Sequence, residues 1–189
     1  MCEAQILRLK KENDELKEEL QFLKTFPTLA QGMRGQALVA RIEGSVTTGY
    51  GCSYDLVING GARLEVKNSH VNTPNRSSTR RWSWSNLLGS PKKRKDYDFL
   101  VLIGKRDERF SYYQDNSPYV FFLLPHREVP NIVTAPNAPS GMCTLSTNLD
   151  GTRAPKSQLL KNRLVSWRKL EESLALEVAA GRRPVGEKV

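Results

Sequence analysis

Asp55, Glu65 and Lys67 are the residues of this 189-residue chain whose types and spacing could do chemistry. They lie on the two arms of Ser53-Tyr-Asp-Leu-Val-Ile-Asn-Gly-Gly-Ala-Arg-Leu-Glu-Val-Lys-Asn68, where two short aliphatic runs flank Asn59-Gly60-Gly61. That pattern is a hairpin signal. With a three-residue loop, Leu56 faces Leu64, Ile58 faces Ala62, Tyr54 faces Val66 and Asp55 faces Glu65. Every apolar residue but Val57 then shares one face, while Asp55, Arg63, Glu65 and Lys67 share the other. A two-residue loop scrambles both faces, because a slip of one residue inverts every side chain. Gly61 also suits the left-handed third position of such a loop. Two carboxylates one strand spacing apart repel each other unless a cation lies between them, and oxygen ligands of this kind suit Mg²⁺. Lys67 points to the same side and can orient or deprotonate a metal-bound water, a pairing that serves attack on a phosphodiester. The bland reading of the same three residues is a solvated hairpin face.

Asp55 followed by Glu65-Val66-Lys67 resembles the core motif of the PD-(D/E)xK nuclease superfamily. The resemblance covers about residues 33–105 and implies an α/β, restriction-endonuclease-like fold, a mixed sheet flanked by helices. It also implies that Asp55 and Glu65 hold Mg²⁺, with Mn²⁺ able to substitute, helped by the backbone carbonyl of Val66. Asp55, Glu65 and Lys67 become the expected catalytic set. Tyr54 stands where the family has Pro, a departure from the pattern. Members often place a Glu on the helix before the hairpin, and here the accessory candidates are Glu43 and Gln36.

Charge supports an acidic partner. The chain carries a formal +9 and a pI near 9.6, which points to nucleic acid. Between Arg63 and Lys95 there are nine basic residues against the single acid Glu65. Arg63, Arg76, Arg80, Arg81, Lys92, Lys93, Arg94 and Lys95 are therefore the candidate DNA contacts. Ser90-Pro-Lys-Lys-Arg-Lys95 reads as a DNA-contacting loop or, in a eukaryote, a nuclear import signal. Cys2, Cys52 and Cys143 are odd in number and lack metal spacing, which favours a reduced intracellular setting. That setting is cytoplasmic or nucleoid-associated in a prokaryote or phage and nuclear in a eukaryote. No apolar run reaches membrane length, and charges begin at Glu3, so neither a spanning helix nor a signal peptide is expected.

The remaining elements must position this hairpin. Residues 2–26 read as a helix whose Ile6, Leu9, Asn13, Leu16, Leu20 and Leu23 form a heptad seam with Asn13 at an a position. A buried Asn there selects a parallel two-stranded coil in register. A dimerising coil over 1–26, a nuclease-like domain over 27–180 and a flexible tail over 181–189 follow; the alternative is an amphipathic helix packed on its own domain. Phe26-Pro27 ends the first helix, and residues 33–43 form a second, closed by Gly44. Ser77 to Leu88 reads as a helix closed by Gly89, with Trp84 in the core. Phe99-Leu-Val-Leu-Ile103 reads as a strand buried on both faces. Phe110 to Tyr113, Tyr119 to Leu124 and Met142 to Thr147 read as further strands, and the proline-rich 125–141 as a loop. Pro155 opens one long helix to about Ala180, with Leu160, Leu164, Trp167, Leu170 and Leu174 on a stripe.

Other schemes fit less well. His70 and His126 are the only histidines and lack the spacing of a ββα-metal site, and no Gly-x-Ser-x-Gly elbow or Cys–His pair is present. The expectation is a homodimeric, Mg²⁺-dependent endonuclease making site-specific double-strand breaks in DNA, of restriction or homing type. A repair or structure-specific nuclease, a non-catalytic nucleic-acid-binding dimer and a coiled-coil adaptor are the alternatives.

Overall fold

The computed structural model describes residues 3–49, 51–58, 61–73, 79–112, 114–133, 140–148 and 155–179. In chain order they form α1 (Glu3–Thr25), α2 (Pro27–Val39), β1 (Val46–Thr47), β2 (Leu56–Ile58), β3 (Ala62–Ser69), β4 (Arg81–Ser85) and β5 (Gly89–Ser90). There follow β6 (Lys93–Arg94), β7 (Phe99–Lys105), β8 (Tyr119–Pro125), a 3-10 helix (His126–Asn131), β9 (Met142–Ser146), α3 (Pro155–Asn162), β10 (Leu164–Val165) and α4 (Trp167–Ala179). Cys2, Asn59, Gly60, Arg76, Tyr113 and the 181–189 tail, each part of an expectation above, lie outside the described residues.

Six strands make one mixed sheet in the order β1-β2-β3-β7-β8-β10, with β3 and β7 parallel and every other pair antiparallel. The α/β architecture expected from the sequence is present, a mixed sheet flanked by helices. β7 is apolar from Phe99 to Ile103 because both its faces are covered. Val101 and Ile103 join Leu64, Val66, Val39, Leu170 and Leu174 on the side of α2 and α4. Leu100 and Leu102 join Trp82, Trp84, Leu145 and Leu160 on the other. The hairpin register is as expected, with Leu56 opposite Leu64, Ile58 opposite Ala62, and Gly61 at φ +90°. Beyond Leu56 the ladder changes. The Asp55 N–H donates to the Leu64 carbonyl at 2.8 Å, so Asp55–Glu65 and Tyr54–Val66 are not regular cross-strand pairs.

Four local expectations are corrected. Residues 81–85 are a strand, not part of a helix: Trp82 and Trp84 alternate with Ser83 and Ser85, both tryptophans are buried, and β4 pairs with β9. Among its described residues, the connection from β3 to β7 is thus built from strands, not a helix. Helix α2 begins at Pro27 instead of Met33, because a proline in the first turn needs no N–H partner, and it ends at Val39 ahead of Gly44. Phe110–Tyr112 is irregular, with Phe110 buried edge-on to Trp82 at 5.2 Å. The single C-terminal helix is two helices separated by β10, which pairs with β8. There the Ser166 hydroxyl accepts the Lys169 N–H at 3.1 Å, a cap that starts α4. The break sends Leu160 to one face of the sheet and Leu170 and Leu174 to the other.

Helix α1 runs into α2 through the Phe26 N–H to Phe22 and Ala30 N–H to Phe26 bonds, both 3.1 Å. Its seam is uncovered in the single chain, with Leu9, Leu16 and Leu20 more than half exposed and Ile6 and Asn13 also exposed. Among the described residues, no helix is long and apolar enough to cross a membrane.

Candidate active site

Glu65 sits at the centre of the sheet, on β3 beside Leu100 of β7, and is completely buried. The expectation of an open polar face is corrected here. Leu64 and Val66 share one face, as expected, and that face packs against α2 and α4. Glu65 and Lys67 must then face the opposite layer, because successive strand residues alternate. That layer holds Trp84, Leu87 and Tyr97, contributed by β4 and the segment that follows it. It covers the carboxylate that the hairpin alone would leave in water.

Two ammonium groups meet this carboxylate at the same oxygen. Lys67 Nζ lies 2.7 Å from Glu65 Oε1, and Lys95 Nζ donates to the same atom. Glu65 Oε2 is buried and has no protein partner. Burial raises the Glu65 carboxyl above its ordinary value; Lys67 and Lys95 oppose the shift and Asp55 adds to it. Burial also works against the Lys67 charge, but Glu65 and Asp55 together hold its pKa above the usual lysine range. Lys95 goes the other way, lowered by burial with Lys67 adding repulsion, and only partly offset by Glu65. The phenol of Tyr97, buried and influenced by Glu65, is pushed far up.

Asp55 is fixed from three directions. Its backbone N–H is held by Leu64, its Oδ2 accepts the Val66 N–H at 2.8 Å, and its Oδ1 accepts Gln36 Nε2 at 2.8 Å. In an extended strand the N–H and C=O of one residue leave on the same edge. The Val66 carbonyl therefore shares the edge on which Asp55 sits. Gln36 comes from α2, which lies so close to β3 that a Cβ on Gly35 would fall 2.7 Å from Asn68 Cβ. Gln31 and Asn68 lock the same contact by exchanging side-chain-to-backbone bonds of 2.5 and 3.0 Å. A groove of about 410 Å³ opens beside Lys67, lined by Gln31, Gln36, Asn68, Ser83, Asn86 and others.

Of the accessory candidates, Gln36 joins the site and Glu43 is exposed. Of the candidate DNA contacts, Lys92, Lys93 and Arg94 are exposed. Arg63 is engaged inside the protein, with Asp98 at 3.1 Å and Asp96 at 2.5 Å on its guanidinium. Arg80 pairs with Asp107 at 3.2 Å and Glu108 at 2.9 Å, and the Arg81 Nε is buried. Arg63 and Arg80 are struts of the fold. Lys95 is the site residue that sequence reading placed elsewhere: it was grouped with the surface run because its neighbours are basic, and nothing in its distance from Glu65 along the chain signals the contact.

The residues present fit a hard divalent cation. Glu65 Oε2 has no protein partner, the second carboxylate is adjacent in the electrostatics of the first, and the Val66 carbonyl is on the same edge. Among the described residues no group of three or more His, Cys, Asp or Glu side chains could hold a metal.

No family model matches the chain, and no curated protein matches it. Among solved structures, the chain is similar to a bacterial homing endonuclease, with 18% identity and a TM-score of 0.46, over 81% of this chain and 97% of that one.

Proposed function

We propose that the protein is a Mg²⁺-dependent endonuclease of the PD-(D/E)xK kind, hydrolysing phosphodiester bonds in double-stranded DNA. The observation that carries this reading is Glu65: a fully buried carboxylate with one oxygen unpaired, beside Asp55 and under a lysine two residues along its own strand. A buried carboxylate left half-satisfied is costly. Asp55, Glu65 and the Val66 carbonyl would hold the cation, which would supply Lewis-acid activation of water and of the phosphate. The Gln36 and Val66 N–H bonds keep the Asp55 carboxylate turned to its neighbours. Lys67 would orient the attacking water or a phosphate oxygen, and the exposed Lys92, Lys93 and Arg94 would contact the DNA backbone.

The exposed seam of α1 supports a homodimer through a parallel coil, with two sites on opposite strands and a double-strand break at a site-specific, restriction- or homing-type target as the result. A second reading, a non-catalytic DNA-binding dimer, draws on the same lysines: with Lys67 and Lys95 both on Glu65, the cluster could serve as an internal ion network. Incubation of the full chain with supercoiled plasmid and duplex oligonucleotides, with Mg²⁺ or with a chelator, separates them. Cleavage that requires the metal supports the nuclease; duplex binding without cleavage in either condition supports the binding protein.

A further inference from the structure

Lys95 ends a run of four basic residues, yet it differs from the other three. Lys92, Lys93 and Arg94 are exposed, while the Lys95 side chain is 16% exposed and reaches Glu65. Its backbone is held in place. The Lys95 N–H donates to the Leu88 carbonyl at 3.1 Å. Gly89, at φ +76°, lets β5 and β6 pack so tightly that a Cβ there would lie 2.5 Å from the Lys93 carbonyl and 2.8 Å from the Lys95 nitrogen. Two residues on, buried Tyr97 donates its hydroxyl to the Leu87 carbonyl at 2.7 Å. The ammonium is delivered to the carboxylate by a braced segment.

Charge decides what this does. Asp55 and Glu65 against Lys67 and Lys95 make a cluster of zero net charge. A divalent cation added to all four would leave two uncompensated positive charges around a buried carboxylate, which a low-dielectric site opposes strongly. One ammonium has to leave. Lys67 is on β3 itself, two residues from Glu65, and keeps to the same face whatever it contacts. Lys95 stands at the end of a two-strand hairpin on the protein surface, beside the exposed Lys93 and Arg94, where a DNA phosphate would offer it a new partner.

We propose that Lys95 is a positioning residue that occupies Glu65 in the free protein and transfers to a DNA phosphate in the complex, so that divalent-cation binding and DNA binding reinforce each other. The proposal rests on the nuclease reading for the identity of the partner anion. Linkage makes the effect reciprocal: DNA raises cation affinity by the same factor as the cation raises DNA affinity, commonly about 5- to 150-fold for coupled sites.

The test is Mn²⁺ binding to the full chain, read from the free-ion paramagnetic resonance signal. Without DNA, Lys95→Met should bind Mn²⁺ at least about tenfold more tightly than wild type. Lys95→Arg should stay near wild type, and Lys169→Met, which removes an exposed charge on α4, should change affinity by less than about twofold. With saturating duplex, and the DNA's own binding subtracted, wild type should gain affinity and Lys95→Met should not. Lys95→Gln serves if the Met variant does not fold, as judged by its melting transition. Unchanged or weaker Mn²⁺ binding by the neutral Lys95 variants, or equal gains in Lys169→Met, would overturn the proposal. Plasmid cleavage run in parallel separates the two ideas. Metal-dependent cutting by wild type with unchanged affinity in Lys95→Met removes the role of Lys95 alone. Tighter Mn²⁺ binding in Lys95→Met with no cutting by wild type removes the nuclease alone.

Discussion

Asp55 Oδ2 accepts the backbone N–H of Val66 at 2.8 Å, across eleven residues of chain. The bond is made where the β2–β3 ladder loses its regular register, so an acidic side chain takes the place that a strand neighbour's carbonyl would otherwise fill. Asp55 is thereby held in line with the carbonyl of the same residue. Gln36, from α2, fixes the other oxygen. Gln36→Ala should therefore leave the fold nearly as stable, at a cost of about 1 kcal/mol for one lost hydrogen bond, while lowering kcat more than it raises KM. Gly35→Ala, one residue earlier, should cost about 1–3 kcal/mol, because its Cβ would meet Asn68 at 2.7 Å and push α2 from β3. Urea denaturation and steady-state cleavage on the same preparations separate these effects; a Gln36→Ala enzyme with wild-type kcat contradicts the role given to this contact.

Much of this arrangement was legible in the sequence, and its limits have physical causes. The hairpin register followed from the side-chain period of two, since only one loop length sorts Leu56, Ile58, Leu64 and Val66 together. Phe99–Ile103 announced a strand buried on both faces. The tryptophan strand was missed because Arg81 to Ser85 has no β-branched residue and Gly89 resembles a helix stop; the alternation of Trp82 and Trp84 with serines was the available signal. The burial of Glu65 was missed for the same reason, since β4 and the segment after it make the cover. Lys95 could not be found from spacing, because the contact is made across thirty residues by tertiary packing.

The buried ion cluster makes the choice of substitution matter. Glu65→Ala leaves Lys67 and Lys95 without their carboxylate and should destabilise the fold by about 3 kcal/mol or more. Glu65→Gln keeps the shape and should cost less. Burial also holds the Glu65 pKa above 4.5, so the folded chain keeps a proton that the unfolded chain releases. Stability from this group is complete below pH 4.5 and is lost as pH rises through the raised value. The stability difference between wild type and Glu65→Gln should accordingly shift toward the variant as pH rises above the ordinary carboxylate range. A difference that stays constant over that rise contradicts a raised Glu65.

Arginine position separates strut from contact. Arg63 is held by Asp98 and Asp96, so Arg63→Ala should lower stability and leave the salt dependence of DNA binding unchanged. Replacing Lys92, Lys93 and Arg94 by Ser should do the reverse, flattening the log–log salt slope by about one unit per lost phosphate contact. Fluorescence anisotropy over a salt series measures both. A flattened slope in Arg63→Ala, or none in the triple variant, reverses the assignment.

The α1 seam carries the dimer in this account. Each apolar layer from Ile6 to Leu23 contributes on the order of 1–3 kcal/mol, and three heptads are marginal alone. Leu16→Glu should thus convert dimer to monomer at micromolar protein in a sedimentation run. On a one-site plasmid the product should move from linear toward nicked circle. Asn13→Leu should associate more strongly but in mixed stoichiometry. A native chain that sediments as a monomer at that concentration removes the coil as the dimer element.

The central claim is that Asp55, Glu65 and Lys67 form one metal-dependent site, and cleavage of supercoiled plasmid by matched variants tests it most directly. Asp55→Asn, Glu65→Gln and Lys67→Met, each verified as folded by its melting transition, should cut at least about a hundredfold more slowly than wild type in Mg²⁺. Calorimetric Mg²⁺ binding should be lost in the first two and kept in the third. Wild-type cutting that persists in chelator, or full activity in any one of the three folded variants, would contradict the site.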